Sequence, residues 1–467
     1  MKYYSEEAKN AKLPECTAYD YVKRLNKDRY DAPALHYYGK DITFGELVER
    51  IEATAQSFCA AGVRPGDIVS FVSVQIPETI AAIYALNKIG ATANMIDPRM
   101  DISSIQRMIV NSGSKVLVTL DIAWPKIKQI KNLIGQDLII TQSAATSLPY
   151  IKKVAMQLTT KTKIPYCEDI ITWKEFIKRG VGVVAVEVPY EGDTAVAITY
   201  TGGTTGFPKG VVLTNDSVNA VVINFQYCDV VHYDNDRYLG IIPVFSAYGL
   251  VCGMHMPLCL RMTLVPIPRF IPQQIGKLVR DFRPNHVIST PVFIELLIGS
   301  KEVANMDLSF LRTLASGGDS MNEGLEAKLN DFREKHGMKY PLAQGYGMSE
   351  VSAAASFCGN DIYKEFSETS FEDAAMKVKD STVLTQHLIG IKAGYSIAKV
   401  GFSQDVDHTG IKSPINFGIY YTYYHSLWNS MPFFGFQTGL EYAEIGYTDV
   451  VKDKDKNIIS EEEQRYQ

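Results

Sequence analysis

Along residues 31–190 the apolar positions alternate between two rhythms, short continuous runs and helical stripes. "DITFGELVERIEATAQSFCAAGV" reads as a strand and then a helix that ends near Gly62. "RPGDIVSFVSV" reads as a turn and a buried strand, and "PETIAAIYALNKIGA" as a helix with Pro77 at its start and Gly90 past its end. "TANMIDP" and "KVLVTLD" are further strands. Such alternation predicts a parallel sheet covered by helices. The pattern resumes from Asp193 to Phe357. "TAVAITYT" and "GVVLTN" read as strands, "DSVNAVVINFQYC" as a helix with an Asn215/Asp216 cap signal, and "RYLGIIPVF", "RMTLVPIP", "HVISTP" and "LRTLASGG" as strands with helices between them.

From Gly390 the rhythm changes to period two. "NFGIYYTYY" puts Phe417, Ile419, Tyr421 and Tyr423 on one face, and "FFGFQTGLEYAEIGY" alternates aromatic residues with glycine and polar ones. Both an outward-apolar membrane barrel strand and an antiparallel sheet on a soluble core read this way. The expected fold class is therefore α/β, two layered α/β subdomains followed by an antiparallel β-rich tail. The expected boundaries are 1–190, 191–365, a polar junction at 366–384, and a tail at 385–467, in which three or four strands are legible.

Composition narrows the function classes. The chain has 467 residues, 46% apolar and 21% charged, with a net charge of -5. That balance is unlike a general nucleic-acid binder. The start, "MKYYSEEAKNAKLPECTAYD", has no apolar core of a secretory leader, and no stretch reaches the length of a membrane helix. The seven cysteines are scattered with no Cys-x-x-Cys, which suits buried reduced thiols and a cytoplasmic setting.

The candidate chemistry sits in "YTGGTTGFPKG", Tyr200–Gly210. It is not a Walker A loop: Pro208 precedes Lys209, Gly210 follows it, and the chain runs on into a strand. Gly202, Gly203 and Gly206 let the backbone curl its N–H groups inward into an anion-binding nest. Thr201, Thr204 and Thr205 add hydroxyls, and Lys209 adds a point charge suited to phosphate. A flexible Gly/Thr hairpin loop is the plainer alternative.

"YTGGTTGFPKGV" resembles the phosphate-loop signature of the adenylate-forming superfamily: acyl-CoA synthetases, peptide-synthetase adenylation domains and luciferases. "ITFGEL", "GVRPGD", "LNKIGATANMIDP", "IIPVFSAYGL", "SGGD" and "QGYGMSE" resemble that family's other landmarks in the right order, over about residues 30–365. The resemblance implies ATP-dependent activation of a carboxylate as an acyl adenylate, then capture by coenzyme A. It implies that Thr201, Gly202, Gly203, Thr204, Thr205 and Gly206, with Lys209, hold the β- and γ-phosphates. Gly317 and Gly318 would form one wall of the adenine site, Tyr346 would stack on the base, and Gly345 and Gly347 would flank it. Ser349 would touch the α-phosphate, and Glu350 would hold Mg²⁺. Phe245 and Ser246 stand where the family places an aromatic residue, frequently followed by His, near the carboxylate; Phe245 reads equally well as core. The apolar runs of residues 240–300 lean toward a fatty or aromatic acid, with no nucleic acid as partner.

After "FCGNDIYKE" neither a Tyr/Phe-x-Thr-Gly-Asp ribose motif nor a Gly-Arg-x-Lys-Asp hinge appears. Residues 387–450 instead resemble strands of small bacterial outer-membrane β-barrels. The expectation is a chimera: a truncated, impaired adenylate-forming enzyme, or a non-catalytic ATP/AMP-binding remnant, joined to a barrel fragment. Membrane contact is expected only if that tail inserts.

Overall fold

The computed structural model describes residues 6–159, 162–201, 208–228 and 230–358, together with the backbone of strands within 385–466. The chain divides into two compact units, Met1–Lys364 and Glu365–Gln467.

In chain order the first strands of the larger unit are β1 (Pro33–Tyr37), β2 (Lys40–Thr43), β3 (Ile68–Val72), β4 (Thr92–Ile96) and β5 (Val116–Leu120). β6 (Leu138–Gln142), β7 (Ile170–Thr172), β8 (Ala195–Tyr200), β9 (Gly210–Thr214) and β10 (Arg237–Gly240) follow. β11 (Thr263–Pro266), β12 (His286–Ser289), β13 (Thr313–Ser316), β14 (Ala343–Tyr346) and β15 (Ser356–Cys358) complete it. Two sheets result. One runs β7-β6-β5-β3-β4-β8-β9, the other β15-β14-β13-β12-β10-β11-β1-β2. Each is parallel at its centre and closes with an antiparallel edge strand, β9 on β8 in the first, β2 on β1 and β15 on β14 in the second.

The sheets do not part at residue 190. The hairpin β8–β9 extends the first sheet, and β1–β2 crosses to the second. Periodicity specifies that a segment is a strand, whereas its neighbours are set by register and packing across the fold.

Local signals place the helices. Phe44–Ala60 starts at a Thr43/Glu46 capping box, and the backbone turns at Gly62 with φ +89. Pro77–Lys88 opens on Pro77, and Gly90 beyond it has φ +71. The helix Asn215–Gln226 is capped by Thr214, whose side chain accepts from Ser217 N, and not by Asn215. Asn215 is buried instead. Its Oδ1 accepts from Ala18 N at 3.0 Å and Asn87 Nδ2 at 2.8 Å, tying three distant segments together. Its amide is consumed by tertiary contacts that sequence does not display.

Of the cysteines with described side chains, Cys16, Cys59, Cys252 and Cys259 are buried and form no disulfide, whereas Cys228 is half-buried and Cys167 exposed, so the expectation of buried thiols holds for four of the six.

The smaller unit, taken by itself, has β16 (Thr385–Ile397), β17 (His408–Gly410), β18 (Lys412–His425), β19 (Phe434–Tyr442), β20 (Ile445–Lys452) and β21 (Ile458–Tyr466). They pair antiparallel in two three-stranded sheets, β16-β18-β19 and β17-β20-β21. Six strands are described where three or four are legible in the sequence; one of the additional ones, the charged run "IISEEEQRY", pairs with β20 without an apolar alternation to announce it.

Candidate active site

The hairpin β8–β9 brings Tyr200 opposite Gly210. One step further out, Thr201 N donates to Lys209 O at 3.0 Å, and Lys209 N donates to Thr201 Oγ1 at 3.3 Å. These bonds close the neck of the loop and leave the Lys209 side chain exposed. The loop therefore joins two strands, as its composition implied, and does not open a helix. Gly202, Gly203, Thr204, Thr205 and Gly206 lie outside the described residues. β9 lies against the turn Ser349–Val351, so the base of the loop and the "GYGMSE" turn are neighbours.

A cavity of about 150 Å³ gathers most of the other expected residues. Ser246, Gly317, Gly318, Gly345, Tyr346, Gly347 and Ser349 all line it. Gly317 and Gly318 follow the end of β13, and Gly345 and Tyr346 end β14, so adjacent parallel strands deliver both walls at their carboxyl ends. Such ends are where open α/β sheets place ligands. Glu350 is exposed next to Ser349 and does not line the cavity.

The glycines here are spatial requirements. A Cβ on Gly317 would stand 2.9 Å from the Tyr248 hydroxyl and 3.3 Å from Gly345 O. A Cβ on Gly347 would overlap Ala353 O at 1.4 Å. Gly318 has φ +79, a left-handed conformation that side chains disfavour. Tyr346 is 63% exposed, so one ring face is free. Ser316 Oγ lines the same cavity, is buried, and has no hydrogen-bond partner among the described residues. A cradle without side chains, an open aromatic face and an unmet hydroxyl suit a planar nitrogen heterocycle.

Tyr248 is the residue that sequence reasoning passed over. It lines this cavity and also a second one of about 1010 Å³. Its hydroxyl donates to Ser289 O at 3.3 Å, and burial pushes the phenol pKa up, so the ring stays neutral. The signal was present as a second aromatic residue three positions after Phe245 in "PVFSAYG". Tyr248 also begins a π-helical segment, Tyr248–His255, of the kind often found at functional sites.

The larger chamber is walled mostly by apolar side chains, among them Val74, Ile241, Ile242, Phe245, Phe270 and Phe293. Phe245 is half-buried in this wall, and the Arg99 guanidinium lies over its ring at 5.1 Å. Phe245 also packs against the main hydrophobic core, so it is both wall and core. Ser246 is committed locally: its hydroxyl donates to Pro243 O at 2.8 Å and accepts from Gly249 N at 3.1 Å. It holds the turn between Phe245 and Tyr248.

No group of three or more His, Cys, Asp or Glu side chains suited to a metal occurs among the described residues. No helix among the described residues is long and apolar enough to cross a membrane.

Comparison with known proteins bears on the family and the fold. The family model described as AMP-binding enzyme matches residues 22–383. A long-chain-fatty-acid–CoA ligase of Bacillus subtilis is 29% identical over 332 residues, which is 69% of this chain and 58% of that one. The chain thus spans somewhat over half the length of this relative. Among solved structures, a benzoate CoA ligase from Burkholderia xenovorans superposes with a TM-score of 0.62 at 17% identity, covering 73% of this chain and 63% of its own. The N-terminal domain of FACL13 from Mycobacterium tuberculosis superposes with a TM-score of 0.59 at 17% identity, over 95% of this chain and 99% of that one. The match to residue 383 reaches through the expected junction, and the last likeness extends across nearly the whole chain. The expected chimera with an outer-membrane barrel finds no support in these comparisons.

Proposed function

This chain belongs to the AMP-binding enzyme family, and on that premise we propose that it activates a carboxylic acid with ATP as an acyl adenylate and transfers the acyl group to coenzyme A. The observation that carries the reading is the position of Tyr248, shared by a glycine-walled cavity and a large apolar chamber. Nucleotide on one side and acyl chain on the other would bring the carboxylate and the α-phosphorus together at that wall.

In this reading Gly317, Gly318, Gly345 and Gly347 admit the adenine, and Tyr346 stacks on it. Ser349 donates to the α-phosphate. Thr201 and the loop Gly202–Gly206 enclose the β- and γ-phosphates, with Lys209 supplying a cation. Mg²⁺, held by Glu350 and the phosphates, would neutralise charge on the departing pyrophosphate. Because attack is in line and the nucleophile is already an anion, the protein's task is positioning and charge neutralisation. Phe245 and Tyr248 orient the acyl group. The named relatives act on long-chain fatty acid and benzoate, and the apolar chamber suits either class. Residues 385–467 carry no part of this proposal.

Isotope exchange between pyrophosphate and ATP, run with a panel of fatty and aromatic acids, tests the reading. Acid-dependent exchange is expected with apolar acids. Nucleotide binding with no exchange for any acid would favour the binding remnant instead.

A further inference from the structure

Charge along this chain is unevenly placed. Between Ile122 and Cys167 there are seven lysines and one acidic residue, Asp137, in a protein whose net charge is -5. Among the described residues, few of these lysines are offset by acids elsewhere in the fold. Lys131 meets Asp169 at 2.9 Å. Lys126 Nζ donates to the carbonyls of Pro98 and Met100 at 2.9 and 2.6 Å, Lys152 to Tyr38 O at 2.7 Å, and Lys153 to Thr146 O at 3.3 Å. Carbonyls hold the ammonium groups in place without cancelling their charge.

The same edge exposes large apolar side chains. Ile122 is 64% exposed, Tyr150 80%, Ile151 82% and Val154 38%. On the helix Tyr150–Thr159, Tyr150, Val154 and Ile151 share an arc of about 100°. Lys152 and Met156 fall on the opposite side and line the large chamber. Ile122 and Lys126 line it too. Ile122 alone among these exposed apolar residues lines the chamber, so edge and chamber share that residue. A helix with one apolar arc, flanked by lysine, is the pattern of an interfacial segment at a lipid surface. Nucleic acid is the poorer fit, because the segment has no arginine and three of the four exposed apolar residues, Ile122, Ile151 and Val154, are aliphatic and cannot stack on bases.

We infer that this edge is a docking surface for an anionic lipid bilayer, with Ile122, Tyr150, Ile151 and Val154 entering the interface and the exposed Lys128, Lys152 and Lys163 facing headgroup phosphates. The inference stands on charge and exposure and does not rest on the reading of the reaction.

Flotation of the full 467-residue chain with vesicles, without ATP or coenzyme A, tests it. Vesicles of phosphatidylcholine with about one third phosphatidylglycerol are expected to bind at least about tenfold more protein than phosphatidylcholine alone. Raising salt from about 0.1 to about 0.5 M should release most of it. Ile151→Asp, at an exposed position, should lower binding about tenfold, and Lys128→Glu, also exposed, by about five- to thirtyfold. Val184→Asp, at a position 86% exposed outside this edge, should change nothing. Equal binding to neutral vesicles, or binding unchanged in both variants, would overturn the inference, the latter moving the contact elsewhere on the chain. Tighter retention of single-stranded RNA than of vesicles, lost in the same variants, would overturn it in favour of nucleic acid.

Discussion

The Tyr248 hydroxyl occupies the space that a side chain on Gly317 would need, 2.9 Å from where its Cβ would stand. The two residues come from different elements, the π-helical segment and the loop after β13, and they meet where the small cavity and the large chamber share a wall. Gly317 is thus glycine because of Tyr248 and Gly345, as well as because of any ligand. Gly317→Ala is expected to weaken nucleotide binding about tenfold and to cost about 1–3 kcal/mol of stability through overpacking. Adding Tyr248→Phe should restore part of both, since it removes the nearest atom. A double-mutant cycle read by calorimetry and chemical unfolding checks the coupling; strictly additive effects would refute it.

Lys209 has an exposed side chain, while its backbone closes the loop neck. Lys209→Ala should leave unfolding free energy within about 0.5 kcal/mol of the parent. It should lower acid-dependent pyrophosphate exchange by about 10²-fold or more, the scale of losing a donor aimed at developing charge. Exchange within a factor of about two of the parent would remove Lys209 from the phosphate site.

Turn geometry gives a sharper stability contrast. Gly347→Ala would place a methyl group 1.4 Å from Ala353 O, so the turn must rebuild. Its neighbour Gly318 has open space by comparison, with contacts no nearer than 3.9 Å, and Gly318→Ala meets only the strain of φ +79. The expected order is a loss of about 1 kcal/mol at Gly318 and several times that at Gly347. Urea unfolding of both variants reads it.

Acid sensitivity follows from a buried histidine. Burial lowers the His255 pKa from 6.5 to about 3, and its ring contacts Tyr84 Oη at 3.1 Å and Asn219 Oδ1 at 3.0 Å. Burial also lowers His286, against the opposing pull of Asp236. A group whose folded pKa is depressed favours its deprotonated form in the fold, so its stabilising contribution is present above the unfolded pKa and is lost as pH falls toward the folded one. Between about pH 6 and pH 4, His255 should contribute about 1.4 kcal/mol of lost stability per pH unit. His255→Gln should flatten the curve by about that slope, whatever its effect on stability at neutral pH. An unchanged slope would show that His255 takes up its proton in the folded state.

The chamber wall sets a size limit. Val74 lines it and is half-buried. Val74→Trp should shift exchange toward shorter acids, raising KM for long chains about tenfold or more while short acids stay within about threefold. A uniform loss across chain lengths would point to misfolding or to a different acyl site.

Sequence by itself determined the local elements and the chemistry of the turns. A helix ending near Gly62, Pro77 at a helix start and Gly90 past its end are short-range effects, so spacing along the chain is enough to read them. The glycine and serine positions that line the small cavity were legible only through the resemblance of "SGGD" and "QGYGMSE" to a family's landmarks, since nothing in their local spacing brings the two stretches together. Only the tertiary structure decided which sheet each strand joins, that Asn215 ties distant segments together while Thr214 caps its helix, and that Phe245 both packs on the core and lines a chamber. The same holds for Tyr248. Its place between two cavities is made by Ser289, Gly317 and Gly345, residues 41 to 97 positions away. Contacts at that separation leave no periodicity in the sequence, because they arise from how the sheets pack and not from the geometry of any one element.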